Sequence, residues 1–145
     1  MIALACDHGA LELKEAIKRH LDKRGLPYKD FGTYTAESCD YPDFGAAAAR
    51  AVAGGECDRG IVCCTTGIGM SIACNKVKGI RCALLNDKMS ARLTRAHNNT
   101  NMMALGAGVV GTMLALEIVD VWLDTPFDGG RHQRRIDKVM ALEQE

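Results

Sequence analysis

The run Gly60-Ile-Val-Cys-Cys-Thr-Thr-Gly-Ile-Gly-Met-Ser-Ile-Ala-Cys-Asn-Lys76 decides how this chain is read. Ile61 to Cys64 is a short apolar run with the look of a buried strand. Thr65-Thr66-Gly67-Ile68-Gly69 is a tight Gly-containing turn, and a helix-compatible stretch follows it. Strand, turn and helix start in that order place the turn at the carboxyl end of a strand, where open parallel sheets bind their ligands. Such a turn offers backbone N–H groups to an anion, and the helix N-terminus adds positive potential. A thiol at that point, Cys64, is expected to ionise readily and to serve as base or nucleophile.

Outward from this centre, short apolar runs alternate with amphipathic stretches. Strands are predicted at 2–6, 27–32, 60–64, 80–85 and 102–105. Helices are predicted at 10–24, 42–54, 68–76, 87–97, 109–123 and 131–143. In the first helix Leu13, Ile17 and Leu21 recur at i, i+4 and i+8, while Glu12, Lys14, Glu15, Lys18 and Arg19 fall elsewhere. Gly25 follows as a C-terminal cap. The fifth helix presents Val110, Leu114, Ile118 and Val121 in the same way. Regular β-α-β alternation predicts a Rossmann-like α/β/α sandwich, a five-stranded parallel sheet with helices on both faces. No linker, repeat or low-complexity tract divides residues 1–145, so one domain is expected. The segment 124–131 breaks the pattern, and the last helix is expected to reach a partner subunit.

Bulk composition narrows the function. The chain has 145 residues, 48% hydrophobic and 25% charged, with a formal net charge of zero. Balanced charge argues against nucleic acid or an anionic membrane as partner. No apolar run approaches the ~18–20 residues that span a bilayer, and the first residues lack the pattern of a secretory signal. Seven cysteines are scattered through apolar segments without a Cys-x-x-Cys pair. That usage fits a reducing cytoplasm better than a disulfide framework or a structural zinc site.

Four further groups carry chemistry. Asp7 and His8 follow the first strand directly and belong to the same sheet edge as Cys64; alone they also read as a polar turn. Tyr41, between Asp40 and Pro42 before the second helix, is placed to bond a sugar oxygen or simply to pack. His97, Asn98, Asn99 and Asn101 end the fourth helix, where the dipole favours a charged imidazole and where Asn is also an ordinary cap. Arg131, His132, Arg134 and Arg135 form a basic cluster suited to phosphate. Gly106-Ala-Gly-Val-Val-Gly111 matches a dinucleotide fingerprint, but no second strand with an acidic end follows it. The match is read as coincidence, with helix packing as the reason for the small residues.

Taken in order, these residues resemble the ribose-5-phosphate isomerase B family, which includes the galactose-6-phosphate isomerase subunits. The likeness covers nearly the whole chain. It rests on Cys-Asp-His-Gly at 6–9, Glu-Ser-x-Asp-Tyr-Pro-Asp-Phe-Gly at 37–45, and Gly-Glu-Cys-Asp-Arg-Gly-Ile-Val-x-Cys at 55–64. It continues with Thr-Gly-Ile-Gly-Met-Ser-Ile-Ala-x-Asn-Lys-Val-x-Gly-Ile-Arg at 66–81, His-Asn-x-x-Asn at 97–101 and Gly-Gly-Arg-His at 129–132. The resemblance implies a cofactor-free aldose–ketose isomerase of a sugar phosphate, a dimer or tetramer with sites shared between subunits. It implies Cys64 as the base of a cis-enediolate mechanism, with the amides of Thr65, Thr66, Gly67, Ile68 and Gly69 holding the oxyanion. It implies His97 with Asp7 and Thr66 for ring opening, and Tyr41 and Asn98 for the sugar hydroxyls. His8, Arg131 and Arg135 would bind phosphate, the arginines from a neighbouring subunit. Two positions depart from the family pattern. Thr65 stands where a glycine is usual, and Gly108 stands where an arginine helps bind phosphate. Met70 excludes the variant with a glutamate base there. The departures leave room for a tetrose or hexose phosphate as substrate. A non-catalytic phosphosugar- or nucleotide-binding module, or one subunit of a hetero-oligomer, are the alternative readings.

Overall fold

The computed structural model describes all 145 residues. Five strands, β1 (Ile2–Cys6), β2 (Tyr28–Asp30), β3 (Arg59–Cys64), β4 (Cys82–Leu84) and β5 (Met102–Gly106), form one sheet. All pairings are parallel, in the order β2-β1-β3-β5-β4. Six helices connect and cover them: α1 (Leu11–Arg24), α2 (Tyr41–Ala53), α3 (Ile68–Asn75), α4 (Lys88–Asn98), α5 (Thr112–Asp124) and α6 (Arg131–Ala141). This is the Rossmann-like sandwich expected. No helix is long and apolar enough to cross a membrane.

Strand alternation sorts the core into two layers. Ile2, Leu4, Cys6, Ile61, Cys63, Met103 and Leu105 face α1 and α5, where Leu13, Ile17, Leu21, Ile118 and Trp122 fill the space. Ala3, Ala5, Val62, Cys64, Met102 and Ala104 face α2 and α3. That layer is thin, because α2 presents Ala48, Ala49 and Ala51 to it. Cys63 and Cys64 therefore look into opposite layers, as neighbours on a strand must.

Two expectations are corrected. Lys14 is only 1% exposed and is not on a solvated helix face. Its ammonium meets Asp30 Oδ1 at 2.7 Å and the Thr33 carbonyl, tying α1 to the loop after β2. Second, α5 begins at Thr112, since Gly111 at its cap is extended (φ −71°, ψ 159°). Its core face is Ala115, Ile118, Val119 and Trp122, while Leu114 is turned out. The last helix, α6, also packs on its own chain. Ile136 is buried, Glu143 accepts the Gly79 N–H at 3.0 Å, and the Arg81 guanidinium lies 3.5 Å from Met140 sulfur.

Candidate active site

Two groups of candidate residues occupy opposite ends of the sheet. At the carboxyl end, β1 stops at Cys6 and β3 at Cys64, the two strands between which the strand order reverses. Asp7, Tyr41, Cys64, Thr65, Thr66, Ile68 and Gly69 line one cleft of about 450 Å³ there. Asp7 Oδ1 accepts the Gly9 N–H at 2.9 Å, which holds the carboxylate at the strand end. Cys64 Sγ accepts the Gly67 N–H at 3.1 Å. Gly67 itself has φ 78°, the left-handed turn that lets α3 start immediately behind the thiol. Thr66 Oγ1 takes the Ile68 N–H at 3.2 Å, whereas the N–H groups of Thr66 and Gly69 find no acceptor within the chain. Those amides are free for an anion at the N-terminus of α3.

Tyr41 opens α2, and its ring lies against Gly69. A Cβ on Gly69 would come within 2.5 Å of the ring. His8 is exposed at the rim. Its Nδ1 accepts the Cys39 N–H at 3.2 Å, which assigns the ring proton to Nε2. His8 also lines an adjoining cleft of about 540 Å³ with Gly9, Thr65, Gly108 and Thr112. There the two departures from the family pattern touch. Gly108 N–H donates to the Thr65 carbonyl at 2.8 Å. A Cβ on Gly108 would sit 3.1 Å from that oxygen and 3.2 Å from Thr65 Cγ2. Gly106 is required by the same loop, since its Cβ would lie 2.5 Å from the Thr66 carbonyl oxygen. Close approach of the 65–66 turn, not helix packing, accounts for the small residues at 106 and 108.

His97 and Asn98 are not in this cleft. In a parallel sheet every connecting helix runs back to the amino end of the strands, and α4 ends there. The Arg81 side chain before β4 donates to the Asn98 carbonyl at 3.1 Å, and Gly60 at the start of β3 donates to Asn101. From Gly60 to Cys64 the strand spans roughly 13 Å at its usual rise. His97 and Asn98 instead line a groove of about 660 Å³ with Thr94, His132, Arg135 and Ile136. His97 and His132 stack with centroids 4.2 Å apart and planes 10° from parallel. Arg131 and Arg135 are exposed on the same helix. The structure thus brings Asp7, Tyr41, Cys64 and Thr65 to Gly69 together, and separates them from His97, Asn98, Arg131 and Arg135 of the same chain.

Electrostatics distinguish the thiols. Burial pushes the Cys63 thiol well up, and burial likewise raises Cys6, to about 11, against the pull of Lys14. Neither is a base near neutral pH. Partial desolvation, the neighbouring His97 and the cation of Arg131 lower the pKa of His132. All seven cysteines are free.

Sequence reasoning missed Lys14, Asp128 and Cys39. Cys39 Sγ lies 3.7 Å from His8 Nδ1, and Asp128 is pinned by its N–H to the Ala96 carbonyl at 3.0 Å. Nothing local marks the first two, whose partners are distant in sequence. Cys39, inside the stretch 37–45 that also holds Tyr41, was open to a closer reading.

A thiol, a carboxylate and free helix-terminal amides thus meet at the switch point of a parallel sheet, a place where such sheets bind ligands, and comparison with known proteins gives the class, an isomerase of phosphorylated sugars. Residues 2–139 match the ribose/galactose isomerase family. Ribose-5-phosphate isomerase B of Escherichia coli is 49% identical over 143 residues, covering 99% of this chain and 96% of that protein. The structure of Clostridium thermocellum ribose-5-phosphate isomerase B superposes with a TM-score of 0.97 at 53% identity, covering 99% and 97% of the two chains. Mycoplasma genitalium ribose-5-phosphate isomerase B, solved with bound ribulose-5-phosphate, gives 0.94 at 41% identity, covering 99% and 96%. The chain belongs to the ribose/galactose isomerase family, and it is an aldose–ketose isomerase acting on a sugar phosphate.

Proposed function

We propose that the substrate pair is ribose 5-phosphate and ribulose 5-phosphate, interconverted through a cis-enediolate with Cys64 as the base. The observation that carries this reading is the Cys64 sulfur at the cleft floor, bonded to the Gly67 N–H and flanked by the free amides of Thr66 and Gly69. In the proposed step the thiolate takes the C2 proton of the open-chain aldose and returns it to C1. The negative charge that develops on the sugar oxygen is met by amides already aimed at it, which need no reorganisation. Asp7 and Thr66 help open the furanose ring, and Tyr41 orients hydroxyls. These steps use protein groups alone, with no metal or organic cofactor, and a cytoplasmic setting suits the free thiols.

The acid for ring opening comes from a second copy. His97 is separated from Cys64 by the length of a strand, so one chain holds only half of each proposed site. A two-fold dimer closes both halves at once: His97, Asn98, Arg131 and Arg135 of one subunit face Asp7, His8 and Cys64 of the other. Gly108 and Thr65 favour a second reading, in which a tetrose or hexose phosphate is handled better than the pentose. The test is isomerisation of a panel of sugar phosphates in D2O by wild type and Cys64→Ala. Deuterium entering the product from solvent, lost in Cys64→Ala, supports the thiolate mechanism. Undiminished exchange in the variant overturns it.

A further inference from the structure

The stacked histidines at the amino end of the sheet have a third neighbour that the isomerase chemistry does not use. Asp128 lies beside them, and one ligand atom from each of His97, Asp128 and His132 falls within 4.8 Å of the others. The three come from different pieces of chain: the last turn of α4, the connection after α5, and the first turn of α6. Backbone bonds hold that convergence. Asp128 N–H donates to the Ala96 carbonyl at 3.0 Å, and His132 N–H to the Gly129 carbonyl at 3.2 Å. The two imidazole rings stack with centroids 4.2 Å apart and planes 10° from parallel. Two nitrogens bound to one tetrahedral ion at ordinary Zn–N lengths stand roughly 3.3 Å apart. Closing to that spacing asks for at most about 1.5 Å of movement between ligand atoms.

We propose that His97, His132 and Asp128 form a binding site for a divalent transition-metal ion, zinc above all, and that its occupancy switches the isomerase off. Two imidazoles and one carboxylate are a donor set that suits zinc and the neighbouring late first-row ions. Magnesium and calcium, which ask for oxygen ligands, are excluded by the two nitrogens. Three protein ligands leave a fourth position for water, so the ion exchanges and is not a structural staple. Arg131 and Arg135 on α6 oppose a dication, which keeps binding reversible. Inhibition follows from the shared residue. A His97 nitrogen held by the metal cannot pass a proton to a ring oxygen. This rests on the proposed role of His97 but is read out separately.

The test uses the metal alone. Cobalt(II) is added to wild type, and its visible bands report the ligand set and stoichiometry without any turnover. The expected result is one ion per chain with nitrogen and oxygen ligation and no near-ultraviolet sulfur-to-metal charge transfer. Zinc displaces it, abolishes isomerase activity in step, and chelator restores that activity. Asp128→Asn, which removes the carboxylate ligand and keeps both imidazoles, binds zinc at least tenfold more weakly, with inhibition, measured against its own metal-free rate, shifted equally. Cys39→Ser, a control for the neighbouring thiol and His8, leaves binding unchanged. Sulfur ligation, no saturable binding, or equal zinc affinity in Asp128→Asn and wild type overturns the proposal. Loss of metal binding with inhibition unchanged overturns the switch. A protein that binds cobalt as described but isomerises nothing refutes the role of His97 in turnover and leaves the metal site standing.

Discussion

Thr65 and Gly108 are expected to act as one unit, so that neither substitution alone reveals what the pair does. An arginine at 108 facing a phosphate makes a charge-assisted bond worth about 1.5–3 kcal/mol, or roughly 10- to 150-fold in affinity. Its Cβ, however, would stand 3.1 Å from the Thr65 carbonyl and 3.2 Å from Thr65 Cγ2. Forcing atoms into a filled space costs about 1–3 kcal/mol, which is the size of the gain. Thr65 cannot swing away freely, because its hydroxyl already sits over the position a Gly9 side chain would take. Gly108→Arg by itself should therefore improve KM for ribose 5-phosphate less than about threefold. Thr65→Gly alone removes the methyl and acts on kcat through the oxyanion turn. The double variant should lower KM about tenfold or more, a coupling of about 0.5–3 kcal/mol between the sites. The assay is steady-state isomerisation by all four proteins on ribose 5-phosphate and on a tetrose phosphate. The gain should fall in KM, since phosphate is remote from the reacting carbons. Strictly additive effects, or the full gain from Gly108→Arg alone, would refute the reasoning.

Other outcomes follow from the geometry. Cys64→Ala should fold normally and lose roughly 10²–10⁴-fold in kcat, while Cys63→Ala keeps its kcat and shifts only the melting temperature; equal kinetics of the two variants would contradict this. Mixing inactive Cys64→Ala with inactive His97→Asn after subunit exchange should restore about a quarter of wild-type activity, because half of the dimers carry one intact site of two; no recovery would place His97 and Cys64 in one chain. Lys14→Met removes one charge-assisted bond from Asp30, which keeps Lys18 and the Gly32 N–H, and should cost about 1.5–3 kcal/mol in urea unfolding. Asp30 also predicts a pH dependence. Burial works against its charged form, but Lys14, the Gly32 N–H and Lys18 hold its pKa below the ordinary value. Its stabilisation is thus complete above about pH 4, the unfolded value, and is lost as pH falls through the lower folded value. Asp30→Asn should flatten that acid limb of the stability curve.

Much of the site was legible from residue order. Cys63 and Cys64, adjacent in the strand read at 60–64, face opposite layers as period-2 alternation requires, and Gly25 caps α1 in the left-handed region at φ 67°. The turn at 65–69 opened a helix as read. Within one chain His97 lies at the opposite end of the sheet from Asp7 and Cys64, and the signal was available: a helix between parallel strands must end at the amino edge. The order β3-β5-β4 was not available, because the edge strand β4 and the central strand β5 are both short and apolar. It shows only in burial, complete along β5 and partial along β4. Lys14 belongs to the same class. Its burial depends on Asp30, sixteen residues on, and no helical periodicity reveals such a partner. The face of α5 was misjudged because two apolar series overlap in it: Ala115, Ile118, Val119 and Trp122, at i, i+3, i+4 and i+7, are the buried set, and Leu114 lies on its flank.

The strand order also sets a timetable for the chain as it leaves the ribosome. β4 pairs with β5 alone, and β3 has an open side until β5 arrives. β5 is the fifth strand synthesised but the fourth in the sheet, so it must be inserted between two strands already made. The residues that follow it then fasten the catalytic turn, through Ala107 N–H to the Cys64 carbonyl and Gly108 N–H to that of Thr65. A nascent chain ending at residue 101 thus carries two unpaired strand edges and an unfastened turn, the state most exposed to protease and to pairing with another chain. One ending beyond Gly111 has the complete sheet. Protease protection of stalled chains should therefore rise in a single step between those lengths, and a gradual rise from β3 onward would show that the sheet does not wait for its central strand.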